Sequence, residues 1–156
     1  MIKLIIFDLD GVLVDARELH YEALNRALGN IDDEFMISRE EHLSTYDGLP
    51  TTKKLNLLSE EKGLDRSLHQ EIWEDKQTQT QYIIANDMTP DERLIDILRE
   101  LKGDGYKIAV ASNSIRETVK MMLIKKGLLE WIDFYYSNED VNNPKPNAEM
   151  YMRCMI

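Results

Sequence analysis

The hydrophobic pattern changes character twice along the chain. The run from Ile2 to Phe7, apolar and β-branched apart from Lys3, is too short for a helix. Asp and Gly close it at Asp8, Asp10 and Gly11, so it predicts a buried parallel strand. Helical spacing then takes over. Leu19, Ala23, Leu24, Ala27 and Leu28 recur on one face of a helix that begins near Ala16, with Asp15 as its cap and Gly29 as its terminator. Ser38-Arg-Glu-Glu41 has the capping-box pattern of a short second helix. Tyr46 to Pro50 reads as a turn. Thr51 or Thr52 opens a helix carrying Leu55, Leu57 and Leu58 that stops at Gly63, and another from about Asp65 to Ala85 sets Leu68, Ile72, Trp73, Lys76, Thr80 and Ile83 near one stripe.

From Thr89 helix and strand alternate. Thr89-Pro90-Asp91-Glu92 supplies a cap, an N1 proline and a capping-box acid for a helix through Leu94, Ile95, Leu98 and Leu101 that Gly103 and Gly105 end. Tyr106 to Ser112 predicts a second buried strand, Ser114 to Glu117 the start of a helix that ends at Gly127, Phe134 to Ser137 a third strand, and Asn147 onward a last helix. Strand, helical insertion, then helix-strand-helix-strand-helix is the order of a parallel α/β sheet with a lobe inserted after its first strand. The expected division is 1–15 with 86–156 for the α/β core and 16–85 for the insertion.

A chain of 156 residues suits one domain, or one domain with a lobe. No apolar run approaches a bilayer span, and Ile2 to Phe7 lacks the basic flank and cleavage site of a signal peptide, so a cytoplasmic location is expected. Cys154 is the single cysteine and reads as a small apolar residue. The eight methionines are scattered and read as core filler. His42 and His69 have no metal-ligand spacing. A formal charge of −10 opposes nonspecific binding to nucleic acid or an anionic membrane. It would also repel a small anionic ligand, so any anion site here needs a metal, lysines or backbone amides close by.

Asp8 and Asp10 lie two apart at the C-terminal end of the first strand, where ligands bind in open α/β sheets, and can address one small volume. A lone Asp-x-Asp would only end a strand. Here it stands in Phe7-Asp8-Leu9-Asp10-Gly11-Val12-Leu13-Val14-Asp15, which resembles motif I of the haloacid dehalogenase-like superfamily, mostly magnesium-dependent phosphatases and phosphomutases. Ser112-Asn113 after the second strand resembles motif II, and Lys145 in Asn143-Pro144-Lys145-Pro146-Asn147-Ala148-Glu149-Met150-Tyr151 resembles motif III. The element order resembles the branch containing β-phosphoglucomutase and its phosphatase relatives. That implies a Rossmann-like three-layer core with a parallel sheet and an all-helical cap over residues 16–85.

The resemblance implies Asp8 as the nucleophile that forms an aspartyl-phosphate and Asp10 as general acid, then base. It implies Gly11, Ser112, Asn113 and Lys145 at the phosphate, Mg2+ on Asp8 and on Asp10, and His20 and Lys76 as cap residues near the substrate. Asp10 argues against a dehalogenase, which lacks the second aspartate. Gly48 is followed by Leu-Pro-Thr51-Thr52-Lys53 rather than by the arginine that mutases use for a second phosphate, and a lysine is not a bidentate replacement. The family's fourth strand and its magnesium-binding acids belong well beyond Lys145, and the sequence stops at Ile156. The sequence therefore reads as truncated, as covered along the 2–7 edge by a second chain or by self-association, or as a degenerate relative. The leading expectation is a magnesium-dependent phosphatase of a small phosphorylated metabolite, weak in this chain. A non-catalytic or half-site subunit binding a partner through the open sheet edge is second, and a sugar phosphomutase third.

Overall fold

The computed structural model describes residues 3–156, so Ile2 of the first predicted strand lies outside the described residues. The chain divides into two compact units, Met1–Ala16 with Ile84–Ile156, and Arg17–Ile83.

The first unit holds a parallel sheet of β1 (Leu4–Phe7), β2 (Lys107–Ala111) and β3 (Phe134–Tyr136) in the order β1-β2-β3. Leu4 lies opposite Lys107 and Phe7 opposite Val110, while Ala109 faces Phe134 and Ala111 faces Tyr136. β2 is central, so Ile108 to Ala111 are all 0% exposed, as an all-parallel sheet covered on both faces requires. α5 (Glu92–Gly103) and α7 (Glu149–Cys154) both pack on β2. Met150 and Cys154 of α7 share a cluster with Ala109 and Ala111, flanked by Leu4, Ile6, Phe134 and Tyr136. Burial pushes the Cys154 thiol up, which suits its role as an apolar filler.

Three helix ends differ from the sequence expectation. α5 is capped by Asp91, whose carboxylate accepts from the Leu94 N–H at 3.1 Å, rather than by Thr89. α6 (Arg116–Lys125) takes no cap from Ser114: the Arg116 N–H donates 2.6 Å to Glu139 Oε2, contributed from beyond β3. Gly29 is the last residue of α1 (Arg17–Gly29) and is not left-handed, whereas Gly63, Gly105 and Gly127 are.

The second unit contains only helices among its described residues. α1 is followed by α2 (Arg39–Glu41), which continues as one π-turn through His42–Tyr46, then by α3 (Thr51–Lys62) and α4 (His69–Asp87). Ser38 and Glu41 exchange the two bonds of a capping box. Leu24, Leu28, Ile37, Tyr46, Leu55, Leu58 and Ile72 form its core. Asn25, buried among them, clamps the chain before α2: its Nδ2 donates to Ile37 O at 2.8 Å, and its Oδ1 accepts from Ile37 N at 2.9 Å. No helix among the described residues is long and apolar enough to cross a membrane.

Candidate active site

β1 ends at Phe7 and hands the chain to a tight turn. The N–H groups of Val12, Leu13 and Val14 converge on Leu9 O at 3.2, 3.0 and 3.0 Å, and the Gly11 N–H donates 2.7 Å to Val14 O. Gly11 has φ +78, the left-handed backbone that a side chain resists. Its amide is spent on closing this turn. Leu9 is fully buried, which pins the turn and leaves Asp8 and Asp10 on either side of it.

Two other strand ends bring in the remaining groups. β2 runs into Ser112-Asn113-Ser114, and the loop after β3 carries Lys145 before α7. The Lys145 ammonium donates 2.8 Å to Asp8 Oδ1 and 3.0 Å to Ala111 O. That lysine side chain is only 14% exposed while Asp8 is 44% exposed, so the cation is fixed from within and the carboxylate faces outward. Tyr151 lies 5.9 Å from the ammonium, ring face toward it. Both hydrogen bonds to the Asp8 carboxylate among the described residues, from Lys145 and from the Leu9 N–H at 2.7 Å, fall on Oδ1. Oδ2 is the oxygen left to react or to ligate.

Ser114, which the sequence reads as a helix cap, instead donates its hydroxyl 3.2 Å to Asp10 Oδ2. Its N–H reaches Ser112 Oγ at 3.1 Å, so the buried Ser112 hydroxyl keeps its proton for another acceptor. Asn113 pairs with the backbone of Lys145, its Nδ2 donating to Lys145 O and its Oδ1 accepting from Lys145 N, both at 2.9 Å. Glu149 accepts from the N–H groups of Asn142 and Asn143 at 3.0 and 2.9 Å, bonds that hold its carboxyl at about 2. The sequence reads Ser114 as a helix start and Glu149 as part of the motif III string, and assigns neither of them these bonds. Ser114 acts through a partner 104 residues away, and Glu149 through the loop six and seven residues before it.

In the α/β unit the fold thus gathers Asp8, Asp10, Ser112, Asn113 and Lys145 at the C-terminal end of the sheet. His20 and Lys76 lie in the helical unit, Lys76 Nζ 3.4 Å from His20 Nδ1, with Lys76 8% exposed. The same unit buries His42 and Lys54, which the sequence did not single out. Burial, with Lys54 adding to it, holds the His42 imidazole below its usual value, and burial likewise lowers the Lys54 amine.

Residues 5–156 match the family model described as haloacid dehalogenase-like hydrolase. The chain belongs to this family. Among relatives of the haloacid dehalogenase-like hydrolases, pyrophosphatase PpaX of Bacillus velezensis is 27% identical over 153 residues, covering 93% of this chain and 63% of that one. The chain therefore spans less than two thirds of that relative's length. A predicted phosphoglycolate phosphatase from Haemophilus somnus superposes with a TM-score of 0.83 at 21% identity, over 99% of this chain and 71% of that one. CbbY from Rhodobacter sphaeroides in complex with phosphate gives 0.80 at 22% identity, over 99% and 72%. The fold is accordingly the haloacid dehalogenase-like α/β fold with an inserted helical cap.

Enzymes of the haloacid dehalogenase-like family are typically magnesium-dependent. Among the described residues no group of three or more His, Cys, Asp or Glu side chains is arranged to hold a metal. The donor set still suits magnesium, which uses one or two carboxylates and takes its other ligands from phosphate and water.

Proposed function

We propose that this chain carries the phosphoryl-transfer site of a phosphatase acting on a small phosphorylated metabolite. The observation that carries the proposal is the 2.8 Å contact of Lys145 Nζ with Asp8 Oδ1, made across 137 residues of sequence at the end of a parallel sheet. In a chain of charge −10 this is the local compensation that a phosphate site requires.

In this reading Asp8 Oδ2 attacks phosphorus, the bond to the alkoxide breaks, and Asp10 gives that oxygen its proton, leaving an aspartyl-phosphate on Asp8. Asp10 then takes a proton from water, which attacks the same phosphorus; inorganic phosphate leaves and Asp8 is restored. Ser114 holds Asp10 Oδ2 in place for both transfers. The Lys145 ammonium, the Ser112 hydroxyl and the backbone N–H of Asn113 face the phosphate oxygens, and Gly11 supplies the turn. Mg2+ would be held by the Asp8 carboxylate and the Asp10 carbonyl, and would offset the charge gathered between nucleophile and phosphate. His20 and Lys76 are assigned to the non-phosphate part of the substrate.

The test is hydrolysis of a generic phosphate monoester by this chain with and without magnesium, beside Asp8→Asn. Magnesium-dependent turnover that vanishes in Asp8→Asn is expected. A folded chain with no turnover would overturn the phosphatase reading for this chain alone. A second reading rests on β1, which pairs with β2 on one side only among the described strands and is just partly buried from Leu4 to Phe7. An edge of that kind accepts an added strand, so this chain would act as one part of an assembly.

A further inference from the structure

We infer that Asn113 is a positioning residue whose side chain serves the reaction by clamping the backbone of Lys145 rather than by touching the phosphate. The inference rests on the phosphoryl-transfer reading of the site and assigns one of its residues a different task. An asparagine amide has one carbonyl and one NH₂ group. Here each is committed to the same residue, Nδ2 to Lys145 O and Oδ1 to Lys145 N, both at 2.9 Å. The pair bridges the end of β2 and a loop 32 residues further on.

The other bonds in that loop bypass the Lys145 backbone: the Asn147 N–H donates 3.1 Å to Pro144 O, and Asn147 Oδ1 accepts from the Glu149 N–H at 2.9 Å. Asn142, Asn143 and Pro144 before Lys145, and Pro146, Asn147 and Ala148 after it, are exposed and belong to no helix or strand. Glu149 ties Asn142 and Asn143 back to the start of α7 and leaves Lys145 itself untouched. The lysine's stem is flexible, so Nζ is placed well only if its Cα is. With both backbone groups held by Asn113, the stem reaches inward between Asp8 Oδ1 and Ala111 O. The molecule uses the same device elsewhere: Asn25 makes the matching pair of bonds to Ile37, which fixes the chain before α2. Asn113 differs in being exposed, so replacing it opens no core cavity and leaves folding intact.

Two readouts test this in the full chain. The first is the Lys145 ammonium NMR signal, assigned by its loss in Lys145→Met. Asn113→Ala is expected to shift it toward the position it takes in Asp8→Asn, because the contact with Asp8 is released. A signal that does not move overturns the clamp, whether or not the chain proves to be a phosphatase. The second is binding of inorganic phosphate in the presence of magnesium to wild type, Asn113→Ala, Lys145→Met and the double variant. Asn113→Ala is expected to weaken binding about tenfold in the wild-type background. It should have no further effect when Lys145 is already Met, because the two substitutions remove one and the same contribution. An equal loss in both backgrounds would make the Asn113 side chain a direct phosphate ligand and overturn the inference. If wild type binds no phosphate, the reading of the site falls and the ammonium signal alone decides the clamp.

Discussion

At the scale of single residues, the site depends on which partner each polar group finds. Asp10 has Ser114, and once Asp10 has given up its proton that bond is made to a charged carboxylate and is worth about 1.5–3 kcal/mol. Ser114→Ala is therefore expected to lower kcat by roughly 10–100-fold with little change in KM, since it disorders the proton donor without touching the bound phosphate. Steady-state kinetics on a phosphate monoester would check this, and an unchanged kcat would contradict it. The sequence names Asp8, Asp10, Ser112, Asn113 and Lys145 because they sit in strings whose chemistry constrains their spacing. It misassigns Ser114 because Ser-x-x-Glu, from Ser114 to Glu117, is also a capping pattern. Only the tertiary fold reveals that Glu139, distant in sequence, caps α6 and leaves the Ser114 hydroxyl for Asp10.

At the scale of elements, Asp133 joins β3 to the helix layer. Burial alone would raise its carboxyl, but the Lys102 ammonium at 2.7 Å, the Ile108 N–H at 2.8 Å and the Lys107 ammonium at 3.3 Å outweigh burial and hold it at about 2. A depressed carboxyl stabilises the fold above its unfolded value and loses that contribution as pH falls through the folded one. Asp133→Asn should cost about 1–2 kcal/mol at neutral pH in urea melts, the deficit closing between pH about 4 and about 2. A deficit independent of pH would mean that the charge is not what matters. Parallel strands were legible as elements because β2 must be apolar on both faces, and Ile108 to Ala111 show that pattern without interruption. Their ends were less legible. The second predicted strand runs from Tyr106 to Ser112 and the observed one from Lys107 to Ala111, since the Asp133 clamp fixes one end and the site turn the other. The α5 cap moved from Thr89 to Asp91 because only Asp91 has a carboxylate in reach of the Leu94 N–H, a matter of local geometry that composition does not encode.

At the scale of the whole molecule, the two units follow different rules. The α/β unit orders its chemistry by strand ends, and the order of elements made that plan readable because parallel strands demand crossovers. The helical unit instead buries ionisable groups, His42 at 4% and Lys54 at 7% exposure, that periodicity files as ordinary helix positions. His42 is held neutral in the fold, so its contribution is full above the unfolded imidazole value and is lost on acidification. Thermal stability should fall as pH drops below about 6.5, and His42→Leu should flatten that dependence. An identical pH profile in the variant would locate the acid sensitivity elsewhere. The central claim concerns the other unit: that Asp8 carries the phosphoryl group. Its most direct test is covalent. In Asp10→Asn, incubated with magnesium and a phosphate monoester bearing a good leaving group, the second step is blocked, and the acyl phosphate can be reduced with borohydride and located by peptide mass spectrometry. The account predicts homoserine at position 8, absent when Asp8 is also replaced. Turnover by the wild-type chain without any label at Asp8 would contradict it.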